Sequence, residues 1–459
     1  MLKSPAVHYP SLSLMRSDKD TPVQAVNCDV LVIGGGPAGS TAAALLAQKG
    51  YQVVLLEKEQ HPRFHIGESL LPANLPLLEK LGVAEEVRGI GIEKWAAEFV
   101  SPWHAHKQVF NFGDAINKSM PYAYQVRRSE FDEILFRNAQ RKGAHALENC
   151  KVTNVAFLDD NQGVRVHARL DDESVKVWHA RFLLDASGRD TFLGTKLKAK
   201  ERNKDHNSTA IYAHFKNVKR NEGKAEGNIT IYWFEHGWFW CIPFANGDTS
   251  VGAVTWPYYL KTRKKPLADF LLDTIALCPK LQERMKDAEI IGNIEATGNY
   301  SYTCNHTHGP NYLLLGDAYA FIDPVFSSGV MLAMNSAFIG ADTVDTCLKH
   351  PERAQAALRA FDHTMRAGPK EFSWFIYRVT NPTMRELFMG PRNILRMQEA
   401  LLSVLAGDIF GKTPIKGPLF AFKTLYYTLS ILNIKRTWMA WKARKRNIRS
   451  MDTATENMG

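Results

Sequence analysis

Three glycines, at positions 34, 36 and 39, constrain this chain more than any other feature. They follow Cys28-Asp29-Val30-Leu31-Val32-Ile33, a buried-strand pattern, and open Ser40–Lys49, an Ala/Leu-rich helical pattern. A second apolar strand, Tyr51–Leu56, ends at Glu57. Strand, G-x-G-x-x-G turn, helix and acid-terminated strand make a βαβ unit of the dinucleotide-binding kind. Gly34 permits the tight turn, Gly36 lets the backbone approach a pyrophosphate, and Gly39 allows close helix–strand packing. Ala38 lies inside the same turn. The helix N-terminus favours diphosphate charge, and Glu57 is placed to accept hydrogen bonds from ribose hydroxyls.

A chain of 459 residues can enclose a large core, and its 45% hydrophobic and 23% charged content is ordinary for a globular protein. A net charge of +10 favours acidic partners. No nucleic-acid recognition motif accompanies that charge, so a solvated basic face is the preferred reading and nucleic acid is not expected as a partner. The cysteines at 28, 150, 241, 278, 304 and 347 form no C-x-x-C pair and no metal-ligand spacing, so no metal is expected. They read as thiols in a reducing compartment. Residues 1–27 hold no apolar secretory core, and no run is long enough to span a membrane. The cytoplasm is the expected location.

Along the chain, residues 1–27 read as a flexible arm. Segments 28–200 and 295–368 read as an α/β, Rossmann-like nucleotide domain. Residues 201–294, rich in aromatic and β-branched positions and broken by Asn246-Gly247-Asp248, read as an inserted antiparallel substrate-domain sheet. Residues 369–459 read as a helical C-terminal extension.

Tyr312-Leu313-Leu314-Leu315-Gly316-Asp317-Ala318 is a buried strand ending in Gly-Asp-Ala, and it resembles the second flavin motif of the aromatic-hydroxylase flavoproteins. The resemblance implies that Asp317 holds a ribityl hydroxyl and that Gly316 admits the ribityl chain. Leu183–Arg189 and Val126-x-Arg128-x-x-Phe131-Asp132 are similar to further segments of that superfamily, with Arg128 placed to meet flavin phosphate or adenine. Their order along one chain implies FAD. No second G-x-G-x-x-G marks a separate NAD(P)H domain.

A more specific resemblance lies in Gly237-Trp238-Phe239-Trp240-Cys241-Ile242-Pro243, which contains the W-x-W-x-I-P signature of flavin-dependent halogenases. Phe321–Gly329 resembles their F-x-x-P-x-x-S-x-G segment, which would set Pro324 and Gly329 beside the flavin ring. Arg63–Pro72 is similar to the segment after the second strand in the phenol- and pyrrole-type members, which implies that Arg63 and Ser69 bind the cofactor. The resemblance covers residues 29–345. It implies halogenation by FADH2, O2 and chloride or bromide, with hypohalous acid passed to a lysine beside the substrate. Lys94, within Gly91–Phe99, matches that lysine, and Trp95 is expected to help desolvate it. Trp238, Trp240, Ile242 and Pro243 would separate flavin from substrate. Ser328 and Gly329 would offer halide a hydroxyl and a backbone N–H.

The indole-halogenating branch carries an acid before its S-x-G, whereas this chain has Phe326 in that region. A ring without that carboxylate must activate itself, so a small, electron-rich, phenolic or pyrrolic substrate is expected, free or carrier-protein-bound. A flavin reductase is the implied source of FADH2. A monooxygenase using the same flavin, without halogenation, is the alternative. The apolar then basic tail, Leu419–Arg449, is read as a packed helix with a solubilising end, in preference to a docking surface for a carrier protein or anionic lipid.

Overall fold

The computed structural model describes residues 25–449 except 160, 161, 204, 205, 299 and 300. The expected N-terminal arm lies almost wholly outside these residues. Strand β1 (Val26–Ile33) buries its last four side chains, passes through the glycine turn and enters helix α1 (Pro37–Gln48), followed by β2 (Val53–Leu56). Pro37 suits the first helical turn, where its missing N–H costs nothing. The chain then forms β3 (Ile92–Lys94), β4 (Ala96–Val100) and β5 (Lys107–Asn111), and returns through helix α2 (Arg128–Arg141) to the long strand β6 (Val175–Asp185).

Next come β7 (Thr209–Lys216), β8 (Ile229–Phe234), β9 (Gly237–Pro243), β10 (Thr249–Thr255) and β11 (Glu289–Gly298). Strand β12 (Tyr312–Leu314) and helices α3 (Gly329–Lys349) and α4 (Ala354–Ile376) follow. Four more helices close the described chain: α5 (Pro382–Met389), α6 (Met397–Leu405), α7 (Lys416–Leu432) and α8 (Ile434–Arg449).

Two sheets organise the molecule. In the eight-stranded sheet, β12, β6, β1 and β2 lie side by side and parallel, with α1 packed against α2 and α3. Such a sheet places its ligands at the carboxyl ends of the strands. The seven-stranded sheet runs β11-β7-β10-β9-β8-β4-β5. It is antiparallel except where β8 pairs with β4 in parallel. Its outer strands β4 and β5 thus come from sequence assigned to the nucleotide domain, and β11 runs past residue 294. Pairing across such a separation leaves no local trace, because strand pattern alone does not name its neighbour.

Side chains alternate along β9. Trp238, Trp240 and Ile242 join one core cluster, while Phe239 and Cys241 join another on the opposite face. The C-terminal helices contribute Phe372, Phe388, Leu401 and Phe422 to the tryptophan-bearing cluster, so they cover that face of the sheet. The boundary expected at residue 368 falls inside α4, which carries Pro369 in its interior. The continuous amphipathic face of α4 outweighs the proline there.

Candidate active site

A cavity of about 380 Å3 lies between the two sheets and gathers most of the residues singled out in the sequence. Its wall holds Gly34, Gly36, Ala38, Glu57 and Arg63 from the βαβ unit, with Ser69 and Arg128. Asp317, Pro324, Ser328 and Gly329 approach from the second flavin segment, and Trp238, Trp240 and Ile242 from β9. Gly39, Gly316 and Pro243 are not on this wall. A Cβ on Gly39 would sit 1.8 Å from the Gly34 carbonyl oxygen, so Gly39 serves helix–turn packing. Gly316 has a left-handed backbone (φ 52°) and packs beside Ala333 of α3.

The site fits FAD on several counts. A Cβ on Gly36 would meet only the Arg63 guanidinium, at 3.6 Å, and would otherwise project into a cradle at the N-terminus of α1. Glu57, 3% exposed, accepts from the Gly35 backbone N–H at 2.7 Å and the Glu59 N–H at 3.0 Å, which fixes its carboxylate at the end of β2. The Asp317 carboxyl is pushed up to about 6 by burial, offset by Arg189 and Arg128, and faces the cavity. Glu68 is 1% exposed; its Oε1 accepts from His214 at 2.7 Å, while Oε2 has no partner among the described residues. An orphaned acceptor on a cavity wall calls for a donor from a bound molecule.

The two arginines are less free than the motif suggested. The Arg128 guanidinium grips both Asp132 oxygens, at 2.7 and 2.9 Å, and donates to the Ile66 carbonyl at 2.7 Å. Arg63 donates to Asp132 at 3.1 Å and pairs with Glu57 at 3.5 Å. They form a buried charge network along one wall of the cavity.

Lys94 occupies a separate small cavity of about 20 Å3, lined by Leu71, Ala97, Phe99, Phe112, Val325, Phe326 and Leu405. Ile229, Ile231 and Ser327 line both cavities and form the partition. Strand Ala123–Gln125 positions the amine: Lys94 pairs with Ala123, and Ser69 bridges to Gln125 on the same strand. The Lys94 Nζ donates to Ser69 Oγ at 2.9 Å and to the Leu70 carbonyl at 2.6 Å, and lies 5.2 Å from the Phe112 ring centre. It has no carboxylate partner among the described residues. Burial alone lowers its pKa to about 7. A neutral amine has two N–H groups, which these two acceptors satisfy, and its lone pair remains available.

Trp95 does not desolvate Lys94. Strand alternation turns it to the other face, where it donates to Glu93 at 3.1 Å and stacks under Lys224. Phe99, Phe112 and Leu71 supply the dry surroundings instead. Phe326 is buried and stacks on Phe388 at 6.2 Å, and no carboxylate among the described residues lines the lysine cavity. Ser328 and Gly329 begin the 21-residue helix α3, and a Cβ on Gly329 would meet nothing within 4 Å, so this N-terminus is open to the cavity. Two carboxylates that motif reading passed over are Glu68 and Asp323. Asp323 accepts from His206 and Ser208, both at 2.9 Å, and its partners lie too far along the chain for spacing to reveal. Period-two alternation does place His214 on the face of Tyr212, and that signal was legible. Among the described residues no group of three or more His, Cys, Asp or Glu side chains could hold a metal.

Comparison with known proteins finds flavin-dependent halogenases. A family profile described as "FAD binding domain" matches residues 27–357. The chain is 36% identical to flavin-dependent halogenase gsfI of Penicillium aethiopicum over 70% of its own length and 65% of that protein's, so it spans about two thirds of that relative. It is 30% identical to the 1H-pyrrole-2-carbonyl-[peptidyl-carrier protein] chlorinase of Pseudomonas fluorescens, over 83% of this chain and 89% of the chlorinase. Among solved structures, the myxobacterial chondrochloren halogenase CndH superposes with a TM-score of 0.73 and 35% identity, covering 76% of this chain and 82% of the other.

Proposed function

The chain belongs to the flavin-dependent halogenase family, and from that premise we propose that it chlorinates or brominates an electron-rich, phenolic aromatic ring through Lys94. The observation that carries this reading is the Lys94 amine: buried among apolar side chains, with no carboxylate partner among the described residues, its pKa lowered to about 7, and facing an aromatic cavity that shares a partition with the flavin cavity. When bound, FADH2 supplies the electrons by which O2 and halide yield hypohalous acid. The chain's own residues do the rest. The cradle at Gly36 and the N-terminus of α1 bind the pyrophosphate, Glu57 the adenosine ribose, and Asp317 a ribityl hydroxyl. Ser328 and the backbone at Gly329 hold the halide at the positive end of α3. Trp238, Trp240 and Ile242 wall the flavin cavity, while Ile229, Ile231 and Ser327 stand between it and the lysine cavity.

Lys94, held by Ser69 and the Leu70 carbonyl, receives the halogenating species and fixes its position relative to the ring. Positioning replaces indiscriminate solution halogenation by attack at one site. The apolar wall of Phe99, Phe112 and Phe326 offers no carboxylate to stabilise positive charge on the ring, which favours substrates whose own oxygen or nitrogen does so. The relative acting on a carrier-bound pyrrole makes a tethered substrate compatible with this scheme. A flavin reductase delivers FADH2, and the cytoplasm keeps the six thiols reduced.

The test supplies FADH2, O2 and bromide with a panel of phenols and pairs product mass with the rate of FADH2 oxidation. Wild type yields brominated phenol. Lys94→Ala and Lys94→Arg should yield none while oxidising FADH2 normally, since guanidinium stays protonated and presents no lone pair. Full halogenation by either variant removes Lys94 from the chemistry.

A further inference from the structure

The sequence favoured a packed helix followed by a solubilising end for the tail, and the structure gives α7 and α8 a different character. The stretch from Lys416 to Arg449 carries nine lysines and arginines and no aspartate or glutamate. Its apolar side chains are only partly used. Leu419, Phe422 and Tyr426 pack into the core beside α4, but Phe420 and Ile431 of α7 remain 75% and 69% exposed. At the corner between the helices Leu432 and Ile434 are 73% and 64% exposed, and on α8 Trp438 and Trp441 are at least half exposed.

These positions share helix faces. Phe420, Tyr427 and Ile431 recur at i, i+7 and i+11 on α7; Ile434, Trp438 and Trp441 recur at i, i+4 and i+7 on α8. Lys442 and Lys445 continue the α8 face, with their ammonium groups 5.0 Å from the Trp438 ring centre and 4.1 Å from that of Trp441. Neither forms an ion pair among the described residues. Ile394 and Leu395, 57% and 71% exposed, adjoin α7 from the loop between α5 and α6. Exposed large apolar groups on this scale mark an interaction surface. The other face of α8 is anchored to the body: Arg436 pairs with Glu386, and Arg444 donates to the Tyr377 carbonyl.

We propose that α7 and α8 form a docking face for an anionic lipid surface, with Ile431, Leu432, Ile434, Trp438 and Trp441 entering the interface and Lys442 and Lys445 meeting lipid phosphates. Charge complementarity selects this occupant: the segment has cations alone, its lysine stems run beside indoles that suit the headgroup region, and apolar side chains project between them. No described helix is long and apolar enough to cross a membrane, so the association is peripheral.

The test uses full-length, FAD-loaded protein in flotation with phosphatidylcholine vesicles, with and without about one-third phosphatidylglycerol. The protein should float with the anionic vesicles only, and raised salt should weaken the association. Lys442→Glu/Lys445→Glu should reduce it about tenfold or more, since each basic residue near such a surface contributes measurably. Ile431→Ser/Trp438→Ser should reduce it at low salt as well. Both variants change exposed side chains and should retain FAD and the wild-type melting temperature. Equal flotation with neutral and anionic vesicles overturns the proposal, as does unchanged flotation of either variant. It is overturned too if sedimentation velocity shows a dimer that Trp438→Ser dissociates, because a second copy then covers the face.

Discussion

A lysine that is 1% exposed and has no carboxylate partner among the described residues must shed its proton or bear a heavy desolvation cost. Unfolded, Lys94 keeps its proton up to the ordinary 10.5; folded, it releases it near 7. Between those values unfolding takes up a proton, so this group makes stability rise with pH, and below about 7 the fold must bury a charge. Lys94→Met should therefore raise the melting temperature at about pH 6, with the advantage shrinking toward about pH 10. Halogenated product per FADH2 oxidised should climb through about pH 7 in wild type as the neutral amine forms; a flat ratio excludes this titration. The glycines divide by a similar physical test. Gly36 faces the cradle, so Gly36→Val should lose FAD affinity at least tenfold with little change in apoprotein stability. Gly39 abuts the Gly34 carbonyl, so Gly39→Ala should lower apoprotein stability itself. Thermal melts with and without FAD separate the two.

At the level of elements, helix α3 presents its N-terminus to the cavity through Ser328 and Gly329. Ser328→Ala should raise the halide KM by the loss of one hydrogen bond to an anion, about 1–3 kcal/mol, with a smaller effect on FAD affinity. Steady-state bromide titration measures it, and an unchanged KM places the anion elsewhere. The βαβ unit was legible because everything defining it lies between Cys28 and Glu57: apolar runs, glycine spacing and a closing acid. The indole pair on β9 was equally local. What escaped the sequence depends on distant partners. The parallel pairing of β4 with β8 joins Ala97 to Ile229 and has no counterpart in local composition. Ser69 was expected to touch cofactor, and its bond to Lys94 arises because both segments meet the strand Ala123–Gln125. Trp95 was misplaced for a simpler reason, since alternation along an extended chain already turns it away from Lys94.

Across the whole molecule, the C-terminal helices back the lysine cavity: Leu405 of α6 lines it, and Phe388 of α5 packs behind its Phe99 and Phe326 walls. Phe388 of α5 meets Phe99 and Phe110 edge-on at 5.4 and 5.7 Å and stacks on Phe326. Removing such a buried ring typically costs about 3–5 kcal/mol. Phe388→Ala should therefore lower the melting temperature while admitting bulkier phenols, as a competition assay between small and extended substrates would show; an unchanged preference would assign selection to other walls. The flavin cavity is walled on one side by oxidisable rings. Trp238 and Trp240 line the flavin cavity, so under the proposed function the oxidant would form beside two indoles, which are electron-rich rings open to electrophilic halogen. Each cycle that finds no acceptor would then expose these side chains to halogen, and the catalyst would wear out at a rate set by substrate supply. Its working life would be counted in turnovers, and halogen accumulating in the peptide that spans Gly237–Pro243 would be the record of idle ones.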